Sequence, residues 1–170
     1  TSGTTGKPKG VIHSQKSIRA VEYLMGDILG VGPGDRIYGS SKLFFAFSLA
    51  HCFLAPIKLG ATVILYPEWP DTASVAKIVD RHRPTVLLSV PTFYRSMLRD
   101  GVAENSGFKN VRYYLTAGEK LPRSLFDKWV NATGRPVLEG IGATETCFLF
   151  LANRPNNLNP GTCGIPTPGT

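Results

Sequence analysis

Short aliphatic runs alternate with helical patterns along most of this chain, and that alternation restricts the fold more than any other feature. Residues 36–40, 61–66 (ATVILY), 85–90 (TVLLSV) and 111–116 read as strands. Apolar runs of about five residues, lying between helices, are what parallel strands covered on both faces require. The helical stretches have recognisable ends. Ile18, Val21, Leu24, Met25 and Ile28 recur at helical spacing, with Ser14 as a candidate cap and Gly30 as a stop. Residues 47–59 read as a buried helix stopped by Gly60. Asp71 can cap a helix carrying Val75, Ile78 and Val79, ended by Pro84. Pro91 opens a helix over 91–100, and 122–132 closes at Gly134. Residues 137–139 and 147–152 are shorter strand candidates, and 101–110 reads as a polar loop. The expected class is α/β: a mainly parallel sheet with helices on both faces.

Size and composition agree with one globular domain. The chain has 170 residues, 42% of them hydrophobic, with 18 Gly and 13 Pro. Its expected organisation is a loop over 1–10, an α/β body over 11–152 and a loop tail over 153–170. No internal repeat is visible. No run approaches the ~18–20 apolar residues of a membrane helix, so no membrane partner is expected. The formal net charge is +7, yet no block of five or six Lys/Arg occurs. The one concentration is Lys7, Lys9, Lys16 and Arg19, all before the first acid, Glu22. Nucleic acid is therefore not expected, and a phosphate-rich small molecule is. Cys52, Cys147 and Cys163 make no C-x-x-C pair. Three sparse cysteines read as small apolar side chains in a reducing, cytoplasmic setting.

The first ten residues carry the strongest chemical signal: Thr1-Ser2-Gly3-Thr4-Thr5-Gly6-Lys7-Pro8-Lys9-Gly10. Glycines let backbone N–H groups converge on one concavity, four hydroxyls add adaptable donors, and two lysines add positive charge. A polyphosphate needs that combination. It is not a Walker loop, because only two residues separate Gly3 from Gly6 and Pro8 follows Lys7. Gly140-x-Gly142 touches the dinucleotide fingerprint, but Glu145 stands where the third glycine belongs.

This string resembles the phosphate-binding loop of the adenylate-forming (ANL) superfamily. Three further stretches match in order. Leu115-Thr116-Ala117-Gly118-Glu119-Lys120-Leu121-Pro122 is similar to the adenine-contacting turn. Gly140-Ile141-Gly142-Ala143-Thr144-Glu145 is similar to the second nucleotide motif, and Gly161-Thr162-Cys163-Gly164-Ile165-Pro166-Thr167-Pro168-Gly169 to the turn that follows. The resemblance spans the whole chain. It implies that Thr1, Ser2, Gly3, Thr4, Thr5, Gly6 and Lys9 hold ATP phosphates. It implies that Gly118, Glu119, Lys120, Gly140, Ile141 and Gly142 face the nucleotide. Thr144 and Glu145 would be the catalytic residues, Thr144 contacting the α-phosphate and Glu145 also supplying the carboxylate for Mg²⁺. Read without the family, Glu119 is an acid near a helix start, and Thr144-Glu145 is a turn with a first-turn acid.

Two departures point within the superfamily. Ile141 stands where the common pattern has Tyr, and Lys42-Leu43-Phe44-Phe45 stands where many members carry Pro-Leu-Phe-His. Both departures resemble benzoate-type aryl-CoA ligases. The implied acyl pocket lies between residues 44–51, 89–91 and 140–147, with Phe44, Phe45, His51, Ser89 and Pro91 as candidate lining. Ordinary core packing is the alternative for the aromatics and for His51. Tyr113, Tyr114, Trp69 and Trp129 read as packing, and His13 and His82 as surface or loop residues.

The implied chemistry joins an aromatic acid to ATP as an acyl-adenylate and then to coenzyme A. It needs positioned cations rather than a protein nucleophile, which suits a sequence with no Ser/His/Asp or Cys/His set. The family's ribose-binding Asp and its C-terminal lysine have no counterpart here, and the start at Thr1 implies a piece of a longer enzyme, inactive alone. With no strand ahead of them, residues 1–10 are expected to be loosely held. An adenylation domain loading a carrier protein and a non-catalytic nucleotide-binding module are the alternatives. A homodimer is a further expectation.

Overall fold

The structure, a computed structural model, describes residues 6–168. A seven-stranded sheet runs in the order β2-β1-β3-β4-β5-β6-β7. The strands are β1 (Arg36–Gly39), β2 (Thr62–Ile64), β3 (Val86–Ser89), β4 (Tyr113–Thr116), β5 (Val137–Gly142), β6 (Leu149–Ala152) and β7 (Ile165–Pro166). From β2 to β5 every pairing is parallel. β6 and β7 are added antiparallel. The expected α/β class therefore holds.

Alternating side chains divide the sheet between two cores. Ile37, Val86, Leu88, Leu115 and Leu138 join one, against Val21, Leu24, Met25 and Ala55. Tyr38, Leu87, Tyr114 and Val137 join the other, against Val75, Tyr94, Met97 and Trp129. The first core is covered by α1 (Ser17–Glu22), which continues as a π-helical turn over Tyr23–Ile28. It is also covered by α2 (Ala46–Ser48), a π-helical stretch Leu49–Leu54 and α3 (Ala55–Lys58) in succession. The second is covered by α4 (Thr72–His82), α5 (Pro91–Arg99) and α7 (Arg123–Thr133).

Local chemistry explains the ends that the sequence announces. Asp71 Oδ1 accepts from Ser74 N at 2.7 Å, and Asp71 N donates to Ser74 Oγ at 3.0 Å, a reciprocal capping box. Pro91 opens α5, and Gly134 closes α7 at φ +74°. Gly39 has a packing reason: an added Cβ would lie 2.3 Å from Cys52 Sγ. Cys52 is buried there, and burial pushes its thiol up to about 12, as expected for an inert apolar cysteine.

Four expectations change. Ser14 is not a side-chain cap; the helix starts at Ser17, whose N–H donates to Ser14 O. Residues 101–110 are not a loop. They hold a 3₁₀ turn, Val102–Glu104, and α6 (Ser106–Lys109), because Ala103 and Phe108 are buried in the second core. The 153–170 segment carries β7, whose pairing with β6 continues the sheet. Trp69 is not packed: it is 72% exposed. Tyr114 and Trp129 do pack, edge to face at 5.0 Å between ring centroids.

Candidate functional site

Ligands of open α/β sheets lie outside the carboxyl ends of the strands. Here those ends are Ser40 after β1, Val90 after β3, Ala117–Lys120 after β4 and the end of β5. A row of polar side chains marks the border. The Ser40 and Ser89 hydroxyls are hydrogen-bonded at 2.6 Å. Ser89 pairs in register with Thr116, and Thr116 with Glu139. Thr116 Oγ1 is buried with no partner among the described residues. Glu139 Oε1 accepts from Leu121 N at 2.8 Å, and burial raises its carboxyl above the usual range.

Above this border lie two adjoining chambers. The smaller, about 230 Å³, is lined by Phe45, Ala46, Phe47, Gly142, Thr144 and Phe148 among others. The larger, about 530 Å³, is lined by Ser40, Phe45, Phe47, Trp69, Val90 and Phe93 among others. Phe45, Phe47, Ala117 and Gly118 belong to both. A third recess, about 450 Å³, runs over Gly118–Lys120, Glu139–Gly142, Gly161 and Cys163. Gly118 touches all three. Its φ is +88°, the left-handed region that a side chain strains to adopt, although the space beside it is open. The glycine therefore serves the backbone path at the junction.

The glycines of the second motif have another cause. A Cβ on Gly140 would lie 2.7 Å from Leu149 Cδ1, and one on Gly142 would lie 2.6 Å from the Phe148 carbonyl oxygen. They are small because β6 passes close by. Ile141 between them is 42% exposed and faces the third recess. Beyond β5, Thr144–Thr146 form a 3₁₀ turn. Thr146 fixes it, accepting from Ala143 N at 3.2 Å and donating to Phe148 O at 2.8 Å. Thr144 enters the smaller chamber, while Glu145 is exposed on the turn. His13 Nε2 bonds the Thr144 carbonyl at 2.7 Å, tying the chain just after the front loop to this turn across 131 residues.

The other candidates divide clearly. Thr1, Ser2, Gly3, Thr4 and Thr5 lie outside the described residues; Gly6 and Lys9 are exposed. Glu119 does sit near a helix start, but that of α5: its carboxylate accepts from Thr92 N at 3.2 Å and from Thr92 Oγ1. Its side chain is thus occupied by capping. Phe44 faces a separate recess with Lys42 and Tyr66, and its ring meets that of Phe45 at a tilt, with centroids 4.6 Å apart. Ser89 and Pro91 are buried behind the larger chamber, where Ser40 and Val90 face it instead. His51 lines neither chamber. It is buried one turn behind Phe47, and burial pushes its imidazole down to about 4. Sequence reasoning missed Ser40, Val90 and Phe93, although Ser40 and Val90 directly follow parallel strands, which is the available signal. It also misread Trp69, whose ring stands over Lys42 Nζ at 5.2 Å. The Lys42 ammonium itself donates to the carbonyls of Pro67 and Glu68.

A family model for AMP-binding enzymes matches residues 1–170. The chain belongs to the AMP-binding enzyme family. Within it, the chain is 48% identical over 168 residues to a 3-hydroxybenzoate–CoA ligase of Aromatoleum sp. (strain CIB), covering 99% of this chain and 32% of that protein. It is 44% identical to a 3-hydroxybenzoate–CoA/4-hydroxybenzoate–CoA ligase of Thauera aromatica, with the same two coverages. Its fold superposes on the anthranilate CoA ligase AuaEII, solved in complex with anthranoyl-AMP, at TM-score 0.93 and 32% identity, covering 99% of this chain and 33% of that one. This AMP-binding chain therefore spans about a third of the length of the relatives it matches.

Proposed function

We propose that the chain forms the central part of the ATP site and acid site of an AMP-forming aryl-acid–coenzyme A ligase. One observation carries this reading: a small aromatic-walled chamber opens onto Thr144 and meets the glycine-rich turn at Gly118. A flat acid fits between Phe45, Phe47 and Phe148, where ring contacts add ~0.5–1.5 kcal/mol beyond area. Its carboxylate then lies beside Thr144. The adenine lies in the recess over Gly118–Lys120 and Ile141, and the front loop with Lys9 holds the phosphates.

The carboxylate oxygen attacks the α-phosphorus of ATP, the bond to pyrophosphate breaks, and an acyl-adenylate forms. The thiol of coenzyme A, reaching through the larger chamber past Trp69, then attacks the acyl carbon and releases AMP and a proton. No protein nucleophile is required, and the protein's part is placement and charge. Glu145 suits Mg²⁺. It is one exposed carboxylate, and no group of three or more His, Cys, Asp or Glu among the described residues could hold a metal unaided. A cation held by one or two carboxylates and by substrate phosphates matches how Mg²⁺ binds. When bound, the ion would neutralise phosphate charge; the residues themselves orient the acid and keep water from it. Among the described residues no helix is long and apolar enough to cross a membrane. We read the three sparse, free cysteines as those of a reducing, cytoplasmic setting.

The test is acid-dependent ATP–pyrophosphate exchange by the full-length protein across benzoate, the hydroxybenzoates, 2-aminobenzoate and cyclohexane carboxylate. Exchange supported by the aromatic acids is expected. Exchange with none of them, or only with aliphatic acids, contradicts the reading. The 170-residue chain alone is expected to give no exchange.

A further inference from the structure

The reaction above leaves a pair of cations on α4 unused. Lys77, Ile78 and Arg81 fall within one helical turn, with Lys77 and Arg81 four residues apart on one face. With Tyr66, Trp69 and His82 they line a recess of about 440 Å³. Lys77 and Arg81 are exposed, and neither forms an ion pair or a side-chain hydrogen bond among the described residues. Like charges four residues apart weaken a helix, so this unpaired couple calls for a reason. The acid that lines the recess, Asp71, is engaged in the capping box of α4. Hydrogen bonds from Ser74 and, as a smaller cause, the nearby Lys77 hold its carboxyl below the usual range.

Position supplies the reason. Trp69 lines both this recess and the larger chamber, so the two adjoin at its ring. The larger chamber in turn shares Phe45, Phe47, Ala117 and Gly118 with the smaller one at Thr144. The Trp69 ring is 72% exposed, and Lys42 Nζ lies 5.2 Å from its centroid. A molecule whose reactive end lies near Thr144 and whose other end leaves past Trp69 meets a flat exposed ring and then two free cations. Bases stack on such rings. A phosphate monoester carries about −1.5 to −2 charges and suits a guanidinium beside an ammonium.

We propose that this recess binds the nucleotide end of the thiol acceptor: the adenine stacks on Trp69, and Lys77 and Arg81 hold the 3′-phosphate of coenzyme A. This rests on the ligase reading above and adds to it an anion site separate from the front loop. Because both cations are exposed, they act by charge and by steering, and their effect weakens as salt rises. The site distinguishes free coenzyme A from any acceptor that lacks the 3′-phosphate.

The experiment measures kcat/KM for thioester formation by the full-length protein, at low salt, with coenzyme A and with dephospho-coenzyme A, which lacks only the 3′-phosphate. The wild type is expected to favour coenzyme A by about tenfold. The double variant Lys77→Ala/Arg81→Ala is expected to bring that ratio near one, with use of the dephospho form kept within about twofold. Acid-dependent pyrophosphate exchange uses no thiol, so it is expected to be unchanged and shows that the variant is folded. Equal use of the two thiols by the wild type overturns the proposal. So does a preference that survives in the double variant, or exchange without any thioester formed from free coenzyme A. If the double variant loses exchange, Arg81→Gln alone decides: its ratio is expected to fall about threefold, and an unchanged ratio overturns the proposal. A wild type that exchanges with no aromatic acid overturns the aryl-acid reading first, and this inference with it.

Discussion

At the amino ends of the central strands Asp35 is the hub: its carboxylate accepts from Thr85 Oγ1 at 2.7 Å, Gly32 N at 3.0 Å and Arg112 Nη2 at 2.9 Å. These groups join the starts of β1, β3 and β4, and Arg36 Nε adds bonds to the carbonyls of His82 and Arg83. At the carboxyl ends of the same strands Thr116 Oγ1 has no partner among the described residues, Gly118 takes a left-handed turn, and Phe45 and Trp69 stand exposed. One end spends its polar groups on joining strands. The other leaves a buried hydroxyl unpaired and aromatic faces open to solvent. The same sheet is thus a clamp at one edge and a candidate site at the other.

The largest expected effect separates the two ends by activity. Thr144→Ala and Glu145→Ala should each lower acid-dependent pyrophosphate exchange by roughly 10²–10³-fold. Stability should stay within about 0.5 kcal/mol, since both lie on an exposed turn. A loss of stability as large as the loss of rate would erase the distinction.

Acid should expose the cost of His51. Its folded value lies near 4 against an ordinary 6.5, because burial disfavours the charged ring. As pH falls below about 6.5 the unfolded chain takes the proton first, so stability drops until the folded ring is protonated near 4. The full loss is up to about 3 kcal/mol. Urea midpoints at pH 7 and pH 4 check this: wild type should lose more than His51→Leu, and equal losses would remove His51 as the cause.

At the clamp, Asp35→Ala should destabilise by about 2 kcal/mol, less than a fully buried pair because Arg112 is 40% exposed. Exchange per folded molecule should not change. An activity loss beyond the loss of folded protein would show that the two edges are coupled.

The smallest effect concerns the tie between the front segment and the Thr144–Thr146 turn. His13→Leu should reduce exchange about three- to tenfold, the scale of one hydrogen bond, and His13→Gln should restore most of it by keeping a donor. Equal deficits in both variants would assign His13 to packing instead.

The strand–helix alternation was legible because β3 and its neighbours are apolar on both faces and because Asp71, Pro91 and Gly134 are local signals. Residues 101–110 were not, since only the tertiary burial of Ala103 and Phe108 makes that polar stretch helical. In the candidate site, sequence and structure agree on placement where motif and strand end coincide, at Gly118 and Thr144, which line one chamber. Placement was not legible where a role depends on another element. Glu119 caps α5 rather than the following helix, Gly140 and Gly142 yield to β6, and Trp69 is left outside the core. His51 sits inside an apolar helix pattern, and only its unpaired Nε2 separates it from an ordinary core residue.

Hydrogen–deuterium exchange of the full-length protein, with and without a non-reactive aryl-adenylate analogue, tests the division of the sheet most directly. Protection is predicted at residues 45–47, 118–120 and 140–145, with no change at residues 30–36, 83–85 and 110–112. Protection centred on the amino-end segments, or none at the carboxyl ends despite saturating analogue, would contradict it.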